Sequence, residues 1–143
     1  GINQGEKALV TDTRAAVIEL RRSKGMVLDR NDRDSWSAGS FFTNPIIDVA
    51  TAAKLPKGAP RWPQSDGRIK TSAAWLIENS GIKKGDAFGG ARVSTKHVLA
   101  LTNAANATAQ DIASLAKSAQ QSVQDAFGIT LETEVNLIGL NLQ

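Results

Sequence analysis

The chain has 143 residues, enough for one domain with a single buried core. Cysteine is absent and histidine occurs once, which excludes disulfides, thiolate metal sites, cysteine nucleophiles and, in practice, a structural zinc site. Seventeen basic against fourteen acidic side chains leave a net charge of +3, an excess suited to an anionic small ligand and too mild to indicate nucleic acid.

No apolar run reaches the ~18 residues of a membrane span, and the start carries no signal-peptide pattern. A cytoplasmic protein is expected, with neither membrane nor nucleic acid as partner. The opening Gly1-Ile2-Asn3-Gln4, without methionine, reads as part of a longer chain. Residues 1–10 form a lead-in without clear period. Thr11 is a candidate N-cap, and Ala16, Val17 and Leu20 then recur at helical spacing until Gly25 stops the helix. Arg21, Arg22 and Lys24 fill its last turn, where the helix dipole favours cations; a phosphate contact from one of them is the functional alternative. Asp29-Arg30-Asn31-Asp32-Arg33-Asp34 reads as an exposed polar loop.

Trp36-Ser37-Ala38-Gly39-Ser40-Phe41-Phe42-Thr43-Asn44-Pro45 comes next. Gly39 lets a reacting partner approach beside Ser40, and on a strand Phe41 and Phe42 point to opposite faces, at least one into a core. Pro45 pushes Asn44 toward extended backbone and ends any ladder. A plain buried strand explains this stretch; so does a rigidly mounted serine hydroxyl beside an asparagine amide.

Ala50–Lys54 reads as one helical turn, and Leu55–Gly67, rich in proline, as a long loop of the lid or binding type. Trp62 within it is either an exposed aromatic contact or a core plug. A short strand at Arg68–Lys70 leads to a helix capped by Thr71 or Ser72, carrying Ala73, Trp75, Leu76 and Ile77 and ended by Gly81. Phe88-Gly89-Gly90-Ala91 is tight backbone with no phosphate-loop pattern around it. Val93–Thr102 reads as one strand with His97 toward its start, in a position that is ordinarily structural. Thr108 with Asp111 resembles a capping box for the clearest helix, with Ile112, Leu115, Ala116, Ala119, Val123, Ala126 and Phe127 on one face and Gly128 at its end. Ile129–Glu132 and Val135–Ile138 are the last strand signals. The expected fold is α+β, helices packed on a mostly antiparallel sheet, rather than doubly wound.

Taken together, Arg21-Arg22-Ser23-Lys24, Ala38–Pro45, Pro63-Gln64-Ser65-Asp66-Gly67, Ala73–Glu78, Gly89-Gly90-Ala91, His97–Leu101 and Glu134–Gly139 resemble one family. It is UDP-N-acetylenolpyruvoylglucosamine reductase, also called UDP-N-acetylmuramate dehydrogenase, of peptidoglycan synthesis. The resemblance runs in order from about residue 12 to residue 139, each motif weak alone and the ordered set specific. It implies a substrate-binding domain whose flavin-binding partner domain precedes it in the longer protein. Residues 1–25 would lead in from that portion, residues 26–138 would be the substrate domain, and residues 139–143 a tail. Family members use NADPH to reduce bound FAD and pass hydride to the enolpyruvyl double bond of UDP-N-acetylglucosamine enolpyruvate. Neither cofactor is expected on this piece alone, which should be inactive.

By this resemblance Ser40 matches the proton-donating serine and Glu134 the catalytic glutamate; local pattern alone does not single out Glu134. Lys24 and Asn44 match substrate-binding positions, with Lys24 near the nucleotide or phosphate. His97 falls where the family contacts substrate with histidine or glutamine. Trp62 stands where the family often has tyrosine; it keeps covering or stacking but lacks a hydroxyl acceptor. The catalytic arginine belongs to the other half. The alternative is a non-enzymatic nucleotide-sugar binding module using Lys24, Arg21 and Asn44.

Overall fold

Thr108 starts the longest helix, α4 (Ala109–Phe127), by the reciprocal exchange its spacing predicts. Its hydroxyl accepts from the Asp111 N–H at 3.1 Å, and the Asp111 carboxylate accepts from the Thr108 N–H at 2.9 Å. Gly128, at φ 67°, turns the chain out of the helix and donates back to Gln124 O. The computed structural model describes residues 5–142; residues 1–4 of the expected lead-in and residue 143 of the expected tail lie outside the described residues. Ala113, Leu115, Ala116, Ala119 and Val123 form the buried face of α4, whereas Ala126, expected there, is exposed.

Helix α3 (Ala73–Asn79) is capped by the Ser72 hydroxyl, which accepts from Trp75 N–H, and buries Ala73, Leu76 and Ile77. Its Trp75 meets Phe127 of α4 with ring centroids 5.8 Å apart. Strands β4 (Ala87–Phe88), β5 (Ala91–Val93) and β6 (Leu101–Asn103) form an antiparallel sheet in the order β4-β5-β6, with Val93 opposite Leu101. The single strand expected over Val93–Thr102 is therefore a hairpin. Ser94 causes the break: its hydroxyl accepts from the N–H groups of both Lys96 and His97 and folds the chain into a turn. Val98, Leu99 and Ala100 are buried from that turn and the run into β6.

A second sheet joins β1 (Ile46–Ile47), β2 (Trp62–Pro63) and β3 (Ile69–Lys70) in the order β1-β3-β2, all antiparallel. The proline-rich stretch is thus more ordered than its composition predicts. Asp48 caps α2 (Val49–Lys54), and the Arg61 guanidinium gathers the carbonyls of Ala52, Leu55 and Ala59 at 3.2, 2.7 and 2.9 Å. The architecture is α+β, with two small antiparallel sheets in place of one. The strands expected at Ile129–Glu132 and Val135–Ile138 are irregular backbone, tied to the Ser40 segment by a Phe42–Thr133 bridge.

Helix α1 (Val10–Ser23) begins earlier than Thr11 predicts, with Leu9 at the cap position, where it offers no side-chain cap. None of its residues is buried.

Candidate functional site

Residues 40–43 run as a short extended segment between two others. Phe41 N–H donates to Leu99 O at 2.8 Å, and Phe41 O accepts from Glu134 N–H at 2.9 Å. Thr43 N–H donates to Glu132 O at 2.9 Å. Phe41 and Phe42 are both buried, ring edge to face at 5.1 Å, so the core grips the segment from more than one side. Gly39 takes φ 87°, which a side chain rarely adopts; a Cβ there would meet nothing within 4 Å, so the requirement is conformational rather than steric. Ser40, half-buried, follows this kink and bridges to Ala100.

That mounting brings Ser40 and Glu134, far apart in sequence, to one open recess of about 910 Å³. Arg21, Gly25, Met26 and Ser37 line it as well. Glu134 owes its place to backbone pairing with Phe41, a long-range contact with no local sequence signal.

Lys24 and His97 line a second recess of about 190 Å³ with Glu78, Lys84 and Lys96. His97 is half-buried, and its Nδ1 accepts from Leu99 N–H at 3.1 Å, which leaves Nε2–H as the donor. Burial foremost, then the charges of Lys24 and Lys84, hold the imidazole below its ordinary pKa, so the ring is neutral at pH 7. A neutral donor among ammonium groups is suited to phosphate oxygens.

Asn44 and Trp62 join neither recess. Asn44 borders a polar groove of about 670 Å³ with Asp48, Arg68 and Thr130, and its Oδ1 accepts from Ala73 N–H at the start of α3. Its amide nitrogen retains donors for a ligand. Trp62 is 46% exposed on β2, opposite Lys70, and does not plug the core.

The loop read as exposed is so at Asp29, Arg30, Asn31 and Arg33, but its end is corrected. Asp34 and Ser35 are buried, each about 6% exposed. Asp32 accepts from Asp34 N–H and opens a 3₁₀ turn, Arg33–Ser35, while the Ser35 hydroxyl ties to Asp29. Asp34 Oδ1 accepts from Thr95 N–H at 2.9 Å, Oδ2 from the Thr95 hydroxyl at 2.5 Å, and Arg92 lies 3.6 Å away. Burial acts to raise the Asp34 pKa, but the hydrogen bonds from Thr95 and Ser94 and the Arg92 charge outweigh it and hold the carboxyl below its ordinary value. The signal available in sequence was Asp and Ser spaced for side-chain-to-backbone turns.

Among the described residues no group of three His, Cys, Asp or Glu could hold a metal ion, and no helix is long and apolar enough to cross a membrane. A family model described as UDP-N-acetylenolpyruvoylglucosamine reductase, C-terminal domain, matches residues 31–138. The chain belongs to this family. A UDP-N-acetylenolpyruvoylglucosamine reductase of Streptomyces avermitilis is 49% identical over 99% of this chain and 42% of its own length. A relative in Corynebacterium glutamicum, named UDP-N-acetylenolpyruvoylglucosamine reductase 2, is 51% identical over 90% of this chain and 37% of its own length. A crystal structure of the Thermus caldophilus reductase aligns with TM-score 0.48 and 24% identity over 92% of this chain and 36% of that one. The chain thus spans about two fifths of the length of the curated relatives it matches.

Proposed function

We propose that this chain is the substrate-binding and proton-donating portion of a UDP-N-acetylenolpyruvoylglucosamine reductase, acting in the cytoplasm in peptidoglycan precursor synthesis. In this reading residues 26–138 form the substrate domain, and α1 leads in from the flavin-binding portion. The observation that carries the reading is the joint presence of Ser40 and Glu134 in one recess, within a chain of this family.

The Gly89-Gly90 pair is the corner of the β4–β5 hairpin, with Phe88 paired to Ala91, and is not a phosphate loop. FAD and NADPH are assigned to the rest of the longer protein, where FAD reduced by NADPH would supply a hydride to one vinyl carbon of the enolpyruvyl ether. The residues of this chain complete the reduction. The Ser40 hydroxyl delivers a proton to the other vinyl carbon, so that hydride and proton together saturate the double bond. An alcohol is a weak acid, and position must compensate; the bonds on both sides of Phe41 and the Gly39 kink provide that position. Glu134 serves the enol that develops toward the substrate carboxylate. Lys24 and neutral His97 bind the diphosphate, Asn44 donates from its amide nitrogen, and Trp62 covers the sugar nucleotide.

The test is Ser40→Ala in the full-length protein. Flavin reduction by NADPH should proceed as in the parent, while turnover of the enolpyruvyl substrate falls by about 10²–10⁴-fold. Parental turnover would remove Ser40 from the chemistry. The separation of the Lys24–His97 recess from Ser40 favours one second reading, a nucleotide-sugar binding module without chemistry. Binding of the sugar nucleotide by a full-length protein that never turns it over would select that reading.

A further inference from the structure

We propose that Asp34 is the positioning residue of the Lys24–His97 recess, one side chain and one carbonyl that together set the spacing of its two walls for a diphosphate. The inference rests on the reading of that recess as the phosphate site.

One wall is the corner at the end of α1. Gly25 follows Lys24 directly and has φ 70°, with its N–H on Arg22 O. A Cβ built on Gly25 would lie 2.8 Å from Asp34 O, so the two backbones touch with no room for a side chain. The other wall is the β5–β6 turn. There the Asp34 carboxylate holds Thr95 by both backbone and hydroxyl, two residues before His97. Asp34 therefore contacts both walls at once. A second, outer tether runs in parallel, Lys96 Nζ to Asp32 Oδ2 at 2.7 Å.

The two tethers differ in consequence. The Lys96–Asp32 pair is exposed enough to be worth little. The Asp34 side chain is 7% exposed, and its replacement by Asn removes one of the two acceptors that hold Thr95 and the charge that faces Arg92. A shift of the turn moves His97 relative to Lys24, and a diphosphate that bridges both responds to that separation.

The experiment measures UDP binding by calorimetry in the full-length holoenzyme, with uridine as a phosphate-free control. Asp34→Asn should weaken UDP by about tenfold through misplacement of the walls. Uridine binding should hold. Thr95→Val removes one contact while Asp34 stays, and should weaken UDP in the same direction should Asp34→Asn not fold. The deciding measurement is Asp34→Asn combined with Lys24→Met. If Asp34 acts by placing Lys24 against His97, its effect on UDP should largely vanish once Lys24 is gone. The proposal is overturned if both Asp34→Asn and Thr95→Val bind UDP as the parent does. It is equally overturned if uridine and UDP weaken alike, or if the Asp34 effect persists undiminished in the Lys24→Met background. Parental UDP binding by Lys24→Met alone defeats the phosphate reading itself, and the proposal with it.

Discussion

Helices α1 and α4 carry the same kind of signal, apolar residues at helical spacing, and end in opposite situations. α4 has a reciprocal cap, an αL stop at Gly128 and five buried residues. α1 has no side-chain cap at its start and none of its residues buried, and Leu9, Val10 and Leu20 are 70%, 84% and 64% exposed. Period therefore predicts a helix but not its cover. α4 is held by the core around Val93, Leu101 and Leu76, whereas α1 is held chiefly at its end, where Gly25 meets Asp34.

The comparison can be broken at its strongest point. Leu115→Ala on α4 should cost about 2–5 kcal/mol, the lost transfer plus the cavity, read as a shift in denaturant midpoint. A loss as small as that of a surface change would mean that α4 is not the packed helix. Thr108→Ala should cost about 1 kcal/mol, because Asp111 N–H loses its acceptor at the helix start. Thr11→Ala on α1, the cap that the sequence predicts and the structure moves to Leu9, should cost clearly less in the same assay.

Acid sharpens the comparison at the junction. The Asp34 carboxyl titrates below its ordinary value in the folded state, so its contribution is complete above the unfolded pKa and is lost as pH falls through the folded one. Hydrogen exchange at acidic pH should loosen residues 25–36 before α4, and Asp34→Asn should remove that pH dependence. Simultaneous loosening of both would contradict the separate footing of the two helices. The smallest effect belongs to Leu20→Ser, which should lie within about 0.5 kcal/mol in this chain by thermal unfolding.

Much of this was legible in sequence where the determinant is local. The Thr108–Asp111 box, the Gly128 stop, the Ser72 cap and the α+β class all derive from neighbouring residues. What was not legible depends on partners distant in the chain. Ser94 breaks the apolar run by hydrogen bonds to its own turn, and an unbroken strand has the same composition. Asp34 lies in a run of charges that reads as solvated, until Thr95 is brought to it. Ser40 was visible as a mounted serine, but Glu134 gained significance only through resemblance, since its place comes from Phe41 O.

That last bond has a consequence for how the recess can come apart. Glu134 is joined to the rest through irregular backbone after α4, with few ladder bonds to break. A local opening of residues 132–135 would need far less free energy than melting α4 and would part the carboxylate from the serine. The molecule can therefore keep its full helical signal while its recess is dismantled. Spectroscopic integrity and the pairing of Glu134 with the Ser40 segment are separate quantities here, and protection of the Glu134 amide tracks the second.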